Sequence, residues 1–163
     1  MAFIYPRRFS EAWQMLSDYP GTLEQQALVR STFALTYGTK KHKLFQALDK
    51  SINSVYLRSY MTFGFLPDDL WPPNLLAVAG ATGINMRASI AESVIPNLAL
   101  HELGHVVDKH LMTAAKRLWF MQEAGIDPNT NTWNQNVQET FADAVRDCIQ
   151  NTGWQNLWPI LLG

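Results

Sequence analysis

Residues 101–105 read His-Glu-Leu-Gly-His, inside a stretch whose apolar residues recur at helical spacing. Two histidines four residues apart on a helix project from one face, about 6 Å apart along the axis, so both imidazoles can reach one metal ion. The apolar stripe on the opposite face consists of Ala99, Leu100, Leu103, Val106, Val107 and Leu111. The chain must therefore bury one face of this helix and leave the histidine face beside a cleft.

Glu102 lies about 100° around the helix from the first histidine, so it can contact a water at the metal without displacing it. Zinc lowers the pKa of such a water towards about 7, and an adjacent carboxylate can accept its proton and return it to a leaving amine. Gly104 costs about 1 kcal/mol of helix propensity relative to alanine. That cost indicates that a neighbouring helix or strand packs closely against the backbone at this position.

A catalytic zinc site has three protein ligands and one exchangeable position, so His101 and His105 need a partner. Glu139 is the best candidate, because it lies on the polar face of a second helical pattern. Asp143, one turn later, would accept the outer N–H of a ligand histidine, with His101 favoured. Asp108 is a second candidate for such a supporting contact. The alternative for these acidic residues is an ordinary solvated helix face.

These segments resemble the gluzincins, zinc peptidases in which a glutamate from a later helix joins the HExxH helix as a ligand. The resemblance rests on residues 101–105 and on Glu139-Thr140-Phe141-Ala142-Asp143. Within the group, His-Glu-x-Gly-His-x-x-Asp at 101–108 is similar to catalytic domains of the anthrax lethal factor and Pro-Pro endopeptidase kind. The resemblance covers residues 75–150. It implies an α+β, zincin-like fold.

In that fold the edge strand of a small sheet lines the cleft and binds the substrate in extended form. Residues 84–89 would be this strand. The substrate-contacting residues implied are Ile84, Asn85, Met86 and Arg87.

The chain departs from this subgroup at the position of the oxyanion donor. The subgroup has a tyrosine shortly before the glutamate ligand, whereas this chain has Asn-Thr-Trp-Asn at 131–134. The donor is therefore unassigned, and the candidates are Tyr37, Tyr56, Tyr60 and Arg87. The metzincin alternative needs a histidine six residues after His105, where Leu111 stands. His110 is one position off and is interpreted as a core or surface histidine.

The remaining pattern predicts a single domain over 1–163, with a helical N-terminal part at 1–60 and a catalytic core at 75–150. The expected helices are a segment capped by Ser10 through Ser17, Leu23 to Thr36 capped by Thr22, Lys41 to Ser59, 94–122 and 134–151. The expected strands are Met61–Leu66, Leu75–Ala79 and Ile84–Ile90. A polar loop should join the last two helices over 125–132, and Cys148 should be a core residue.

Composition limits the partners and the location. The formal charge of the 163 residues is −1, which supplies no cationic field for nucleic acid and no basic anchor for a membrane. No signal peptide is predicted, and the sequence has no run of about 20 apolar residues, so a soluble protein is expected. A single cysteine cannot form an internal disulfide, which leaves a weak preference for the cytoplasm. The oligomeric state is not determined.

Together these patterns predict a zinc-dependent endopeptidase that acts on a peptide or protein, with Glu102 as general base. Two alternatives stay open. One is a protease specific to a single regulatory partner. The other is a catalytically weak or inactive zinc-binding module that acts through protein–protein interaction.

Overall fold

The computed structural model describes residues 3–4, 16–17, 19–56 and 61–163. These residues form a mainly helical α+β fold with a small three-stranded mixed sheet. The helices are α1 (Leu23–Thr32), α2 (Lys40–Tyr56), α3 (Ile95–Leu111), α4 (Ala114–Glu123), α5 (Gln135–Ile149) and α6 (Trp158–Leu162). The strands are β1 (Phe3–Ile4), β2 (Leu16–Ser17), β3 (Thr62–Leu66), β4 (Ala77–Ala79) and β5 (Gly83–Arg87).

Helix α1 begins at the cap that the sequence provides. Thr22 Oγ1 accepts the backbone N–H of Gln25, and the Gln25 side chain accepts the backbone N–H of Thr22. The helix predicted after Ser10 lies mostly outside the described residues. At its end Leu16–Ser17 forms a strand that pairs with Phe3–Ile4, so the helical prediction is wrong there.

The helix predicted over 94–122 is two helices. α3 ends at Leu111, because Met112 adopts an extended conformation with φ −91° and ψ 111°. The Thr113 side chain then accepts the backbone N–H of Lys116 and caps α4. Thr113, a residue type that often caps helices, was visible in the sequence, but the continuous apolar pattern masked the break.

The three-stranded sheet has the order β3-β5-β4, with β5 parallel to β3 and antiparallel to β4. The expectation that residues 84–89 form the edge strand is therefore wrong. Ile84, Asn85, Met86 and Arg87 lie on the central strand, where both backbone edges are occupied. The edge beside the cleft belongs to β4, for which the described residues provide no further partner strand.

Helix α3 is the central element, packed against α1, α2, α5 and both β4 and β5. Its apolar face is buried except for the partly buried Leu111, and Phe120, Phe141 and Val145 continue the same core. The helices α3 and α5 approach closely at Gly104, where a Cβ atom would lie 2.6 Å from the Cα of Ala142. The close neighbour expected at this glycine is confirmed, and it is a helix. In the described part of the chain, no helix has the length and apolar character needed to cross a membrane.

Candidate metal centre

Helix α3 presents both histidines on one face. The ring centroids of His101 and His105 are 5.0 Å apart, and both rings are half buried. Glu102 is buried, with an exposed fraction of 6%. One ligand atom from each of these three side chains lies within 4.8 Å of the others, a spacing that can hold a metal ion.

Helix α5 brings Glu139 onto the same two rings. Its Oε2 lies 2.7 Å from His101 Nε2, and its Oε1 lies 3.2 Å from His105 Nε2. This placement follows from the local sequence, because the Asn134 side chain caps α5 at the backbone N–H of Val137. The apolar face of α5 then packs on α3, which turns the Glu139 face towards the histidines.

The ring of His101 lies between two carboxylates. Its Nδ1 is 2.7 Å from Asp143 Oδ1, and its Nε2 is 2.7 Å from Glu139 Oε2. A neutral imidazole carries a single N–H, so it can donate a hydrogen bond to only one of these two carboxylates. The other contact needs an additional proton or a metal ion between its two atoms. With the N–H on Nδ1 donated to Asp143, the lone pair on Nε2 faces Glu139. Arg146 Nη1 in turn donates to Asp143 Oδ1 at 3.1 Å.

Burial changes the protonation of the two innermost groups. Burial raises the pKa of Glu102 to about 7, an effect that the nearby Glu139 charge reinforces and His101 opposes. Burial also lowers the pKa of His105, although Glu139 acts in the opposite direction. A neutral imidazole is the form that binds a metal. A carboxyl group that titrates near neutrality can both accept and return a proton.

Asp108 makes contacts other than the one expected. Its Oδ1 accepts from Arg117 Nη2 at 3.0 Å, and its Oδ2 accepts from Trp133 Nε1 at 2.9 Å. The buried carboxylate therefore joins α3 to α4 and to the segment before α5. Arg117 also lies over the Trp133 ring, 5.1 Å from its centroid. The indole N–H of Trp133 is thus engaged with Asp108.

A cavity of about 400 Å³ opens beside the Glu102 and His105 side chains. β4 and the residue Leu75 form one wall, α3 forms the floor, and the first turns of α5 form the opposite wall. The cavity-lining residues that the sequence did not single out are Leu75, Ala77, Val78, Ala79, Lys109, Gln135 and Gln138. Lys109 could have been found, because it follows His105 by four residues on the same helix face.

Of the four candidates for the oxyanion donor, Tyr37 and Arg87 make contacts with other groups, and the side chains of the other two are not described. The exposed Tyr37 ring packs edge-on against His42, and the Arg87 guanidinium donates to the carbonyls of Leu75 and Pro72. The Tyr56 side chain and Tyr60 lie outside the described residues.

His110 contacts Ser51 Oγ at 2.8 Å through Nδ1, and its Nε2 lies 2.7 Å from the Ala81 carbonyl oxygen. Its ring thus joins α2 to the turn between β4 and β5. These contacts leave His110 apart from the His101 and His105 rings.

Comparison of the chain with protein-family models, with curated proteins and with solved structures finds no match. The donor set therefore has to be judged on its own chemistry. Two imidazole nitrogens and one carboxylate are the ligand set of a catalytic zinc site with one open position. The carboxylate beside His101 Nδ1 is the partner that such a ligand histidine normally has. The group of His101, Glu102 and His105 could hold a metal ion.

Proposed function

We propose that the chain is a zinc-dependent endopeptidase of gluzincin type, built as one zincin-like domain over residues 1–163. One observation carries the proposal: Glu139 contacts the Nε2 atoms of His101 and His105 at the same time. His101, His105 and Glu139 would hold the zinc ion, and Asp143 would orient His101. Glu102 is not needed as a ligand and remains free for proton transfer.

A zinc ion at these three groups would supply a Lewis acid that polarises a peptide carbonyl and acidifies a water molecule. Glu102 accepts a proton from the attacking water as the new C–O bond forms. It then donates that proton to the amine nitrogen as the C–N bond breaks, so the carboxylate is regenerated.

The shape of the cavity favours a peptide over a small metabolite. β4 provides a backbone edge along one wall, and an extended peptide can add to such an edge as a further strand. Leu75 and Val78 are exposed on this wall at 41% and 47%, which provides apolar contacts for substrate side chains. The proposed partner is therefore an extended segment of a peptide or protein.

Two narrower functions remain alternatives. A protease for a single regulatory partner would share the same centre but cut few unrelated proteins. An inactive zinc-binding module would use the metal to join α3 and α5 and act through protein–protein contacts. Trp133 in place of a tyrosine supports this second alternative, since its N–H is bound to Asp108. The buried Glu102 beside the histidines opposes it, because a structural site needs no such carboxylate.

The first experiment measures zinc content in the wild type and in His105→Ala, Glu139→Ala and Glu123→Ala variants. Glu123 is an exposed residue at the end of α4 and provides a control. We expect about one zinc per chain in the wild type and the control, and loss in the other two. Wild-type protein without zinc after reconstitution at neutral pH would refute the proposal.

The second experiment measures cleavage of a panel of unstructured proteins and peptides by zinc-loaded wild type and by Glu102→Gln. The amide keeps the size of the side chain but cannot accept the proton, so we expect cleavage to fall at least about a hundredfold with zinc retained. Equal cleavage by both proteins would contradict the role of Glu102. Zinc binding without cleavage of any substrate would favour the inactive module.

A further inference from the structure

The backbone hydrogen bonds of β4 alternate in direction. Arg87 N–H donates to the Leu76 carbonyl oxygen, and Gly80 N–H donates to the Gly83 carbonyl oxygen. Each of these bonds joins residues that are directly opposite in the register, so Leu76, Val78 and Gly80 face β5. The intervening residues Ala77 and Ala79 must then direct their N–H and C=O groups away from β5, towards the open edge. Leu75 precedes the paired residues, and its N–H donates to the Pro72 carbonyl oxygen at 3.4 Å.

The carbonyl oxygens of the residues two positions before and after Ala77 are already bound by cationic side chains. Arg87 Nε donates to the carbonyl of Leu75 at 3.0 Å, and Lys109 Nζ donates to the carbonyl of Ala79 at 3.2 Å. Ala77 lies between them and lines the cavity. In the described part of the chain, no hydrogen bond from another element reaches its outward N–H or C=O.

The cap at Ala79 also links the strand to the metal centre. Lys109 follows His105 by one helical turn, so its bond to Ala79 fixes this end of β4 relative to the histidine face of α3. The capped edge thus lines the same cavity as the candidate ligands His105 and Glu139.

We propose that Arg87 and Lys109 restrict the edge of β4 to a single peptide-pairing residue, Ala77, and thereby set the register in which an extended peptide lies beside the metal centre. This inference rests on the proposed function. One residue of the bound peptide exchanges two hydrogen bonds with Ala77. The peptide residues two positions before and after it meet carbonyl oxygens that already accept a hydrogen bond from Arg87 or Lys109. The cleft therefore selects a peptide by one paired residue and by its side chains, without a long added strand.

The test uses zinc-loaded protein and three probes whose hydroxamate group binds the metal: acetohydroxamate, a tripeptide hydroxamate and a pentapeptide hydroxamate. Isothermal titration compares the wild type with Ala77→Pro. Proline removes the outward N–H of residue 77 but no bond to β5, and it is tolerated at such an edge position. We expect the peptide probes to bind about tenfold more weakly to the variant, as loss of a backbone hydrogen bond implies, and acetohydroxamate to bind equally.

The length of the probe gives an independent readout. In the wild type the pentapeptide should bind no more than about twofold tighter than the tripeptide, because a second pairing residue is not available. Lys109→Met and Arg87→Met each uncap one carbonyl. The pentapeptide should gain about tenfold in the variant whose uncapped carbonyl lies along its path. These two variants decide the question if Ala77→Pro does not fold.

The possible results separate this inference from the proposed function. Peptide probes that bind Ala77→Pro as tightly as wild type overturn the single-residue register while leaving the zinc site intact. A wild-type pentapeptide that binds about tenfold tighter than the tripeptide overturns it as well. If even acetohydroxamate fails to bind the zinc-loaded wild type, the proposed function fails, and the inference fails with it.

Discussion

The close contact between α3 and α5 yields a sharp prediction at Gly104. In Gly104→Ala the new Cβ would lie 2.6 Å from the Cα of Ala142 and 2.8 Å from its carbonyl oxygen. Both atoms belong to the backbone of α5, so no side-chain rotation relieves the contact. Restoring an ordinary separation of 3.4 Å requires α5 to move by about 0.8 Å. Glu139, one turn earlier on α5, would move with it.

The net effect is the difference between two opposing terms. Alanine in place of glycine favours the helix by about 1 kcal/mol. Forcing a methyl group into a packed helix interface costs about 1–3 kcal/mol, and a contact with backbone belongs at the upper end. The free energy of unfolding should therefore fall by about 2 kcal/mol, which lowers the Tm of a domain of this size by about 4–8 °C. Zinc affinity should fall at least about tenfold, because ligand positions tolerate only about 0.2 Å.

Urea unfolding of the metal-free protein measures the first effect, and competition with a chelator for zinc measures the second. Gly153→Ala is the matched control, because its Cβ would meet its nearest neighbour at 3.8 Å, an ordinary contact. A Gly104→Ala protein with the urea midpoint and zinc affinity of the wild type would show that α3 and α5 are less closely packed than described.

Two further predictions concern buried groups outside the proposed ligand set. Asp108→Asn weakens the bond to the partly exposed Arg117, so the free energy of unfolding in urea should fall by about 1–3 kcal/mol. The control Asp69→Asn, at an exposed residue, should leave this free energy unchanged. Equal losses in the two variants would contradict a role for the buried carboxylate. Burial raises the pKa of Cys148 to about 12, so a thiol reagent at pH 8 should label the protein only on unfolding. Because the unfolded thiol ionises near pH 8.5, stability should decrease as the pH rises above that value; rapid labelling of the native protein would contradict its burial.

Much of the candidate site could be predicted because it depends on spacing within single helices. The common face of His101 and His105 is a property of four-residue spacing, and the capping box at Thr22 is a three-residue pattern. The break between α3 and α4 was missed because the apolar periodicity continues across Met112, whereas the cap at Thr113 acts locally. Short-range patterns thus predicted most of the elements, but they missed this break and the strand at Leu16–Ser17.

The order of strands could not be predicted in the same way. β4 and β5 are both short and partly apolar, and nothing in their sequences says which one has two neighbours. The assignment of Ile84 to Arg87 to the edge was wrong because pairing between β3 and β5 is a non-local contact. This pairing depends on how the sheet packs on α3, and the same packing buries Ile84 and Met86.

The sequence by itself determined that one helix carries two histidines and a glutamate over a buried apolar face, because helical periodicity fixes those directions. Only the tertiary structure decided what surrounds them. The packing of α5 on α3 at Gly104 brings Glu139 to both rings. The sheet order places Ala77 beside the cavity, with Lys109 and Arg87 at the ends of its strand. These arrangements depend on contacts between residues far apart in the chain, which local spacing does not encode.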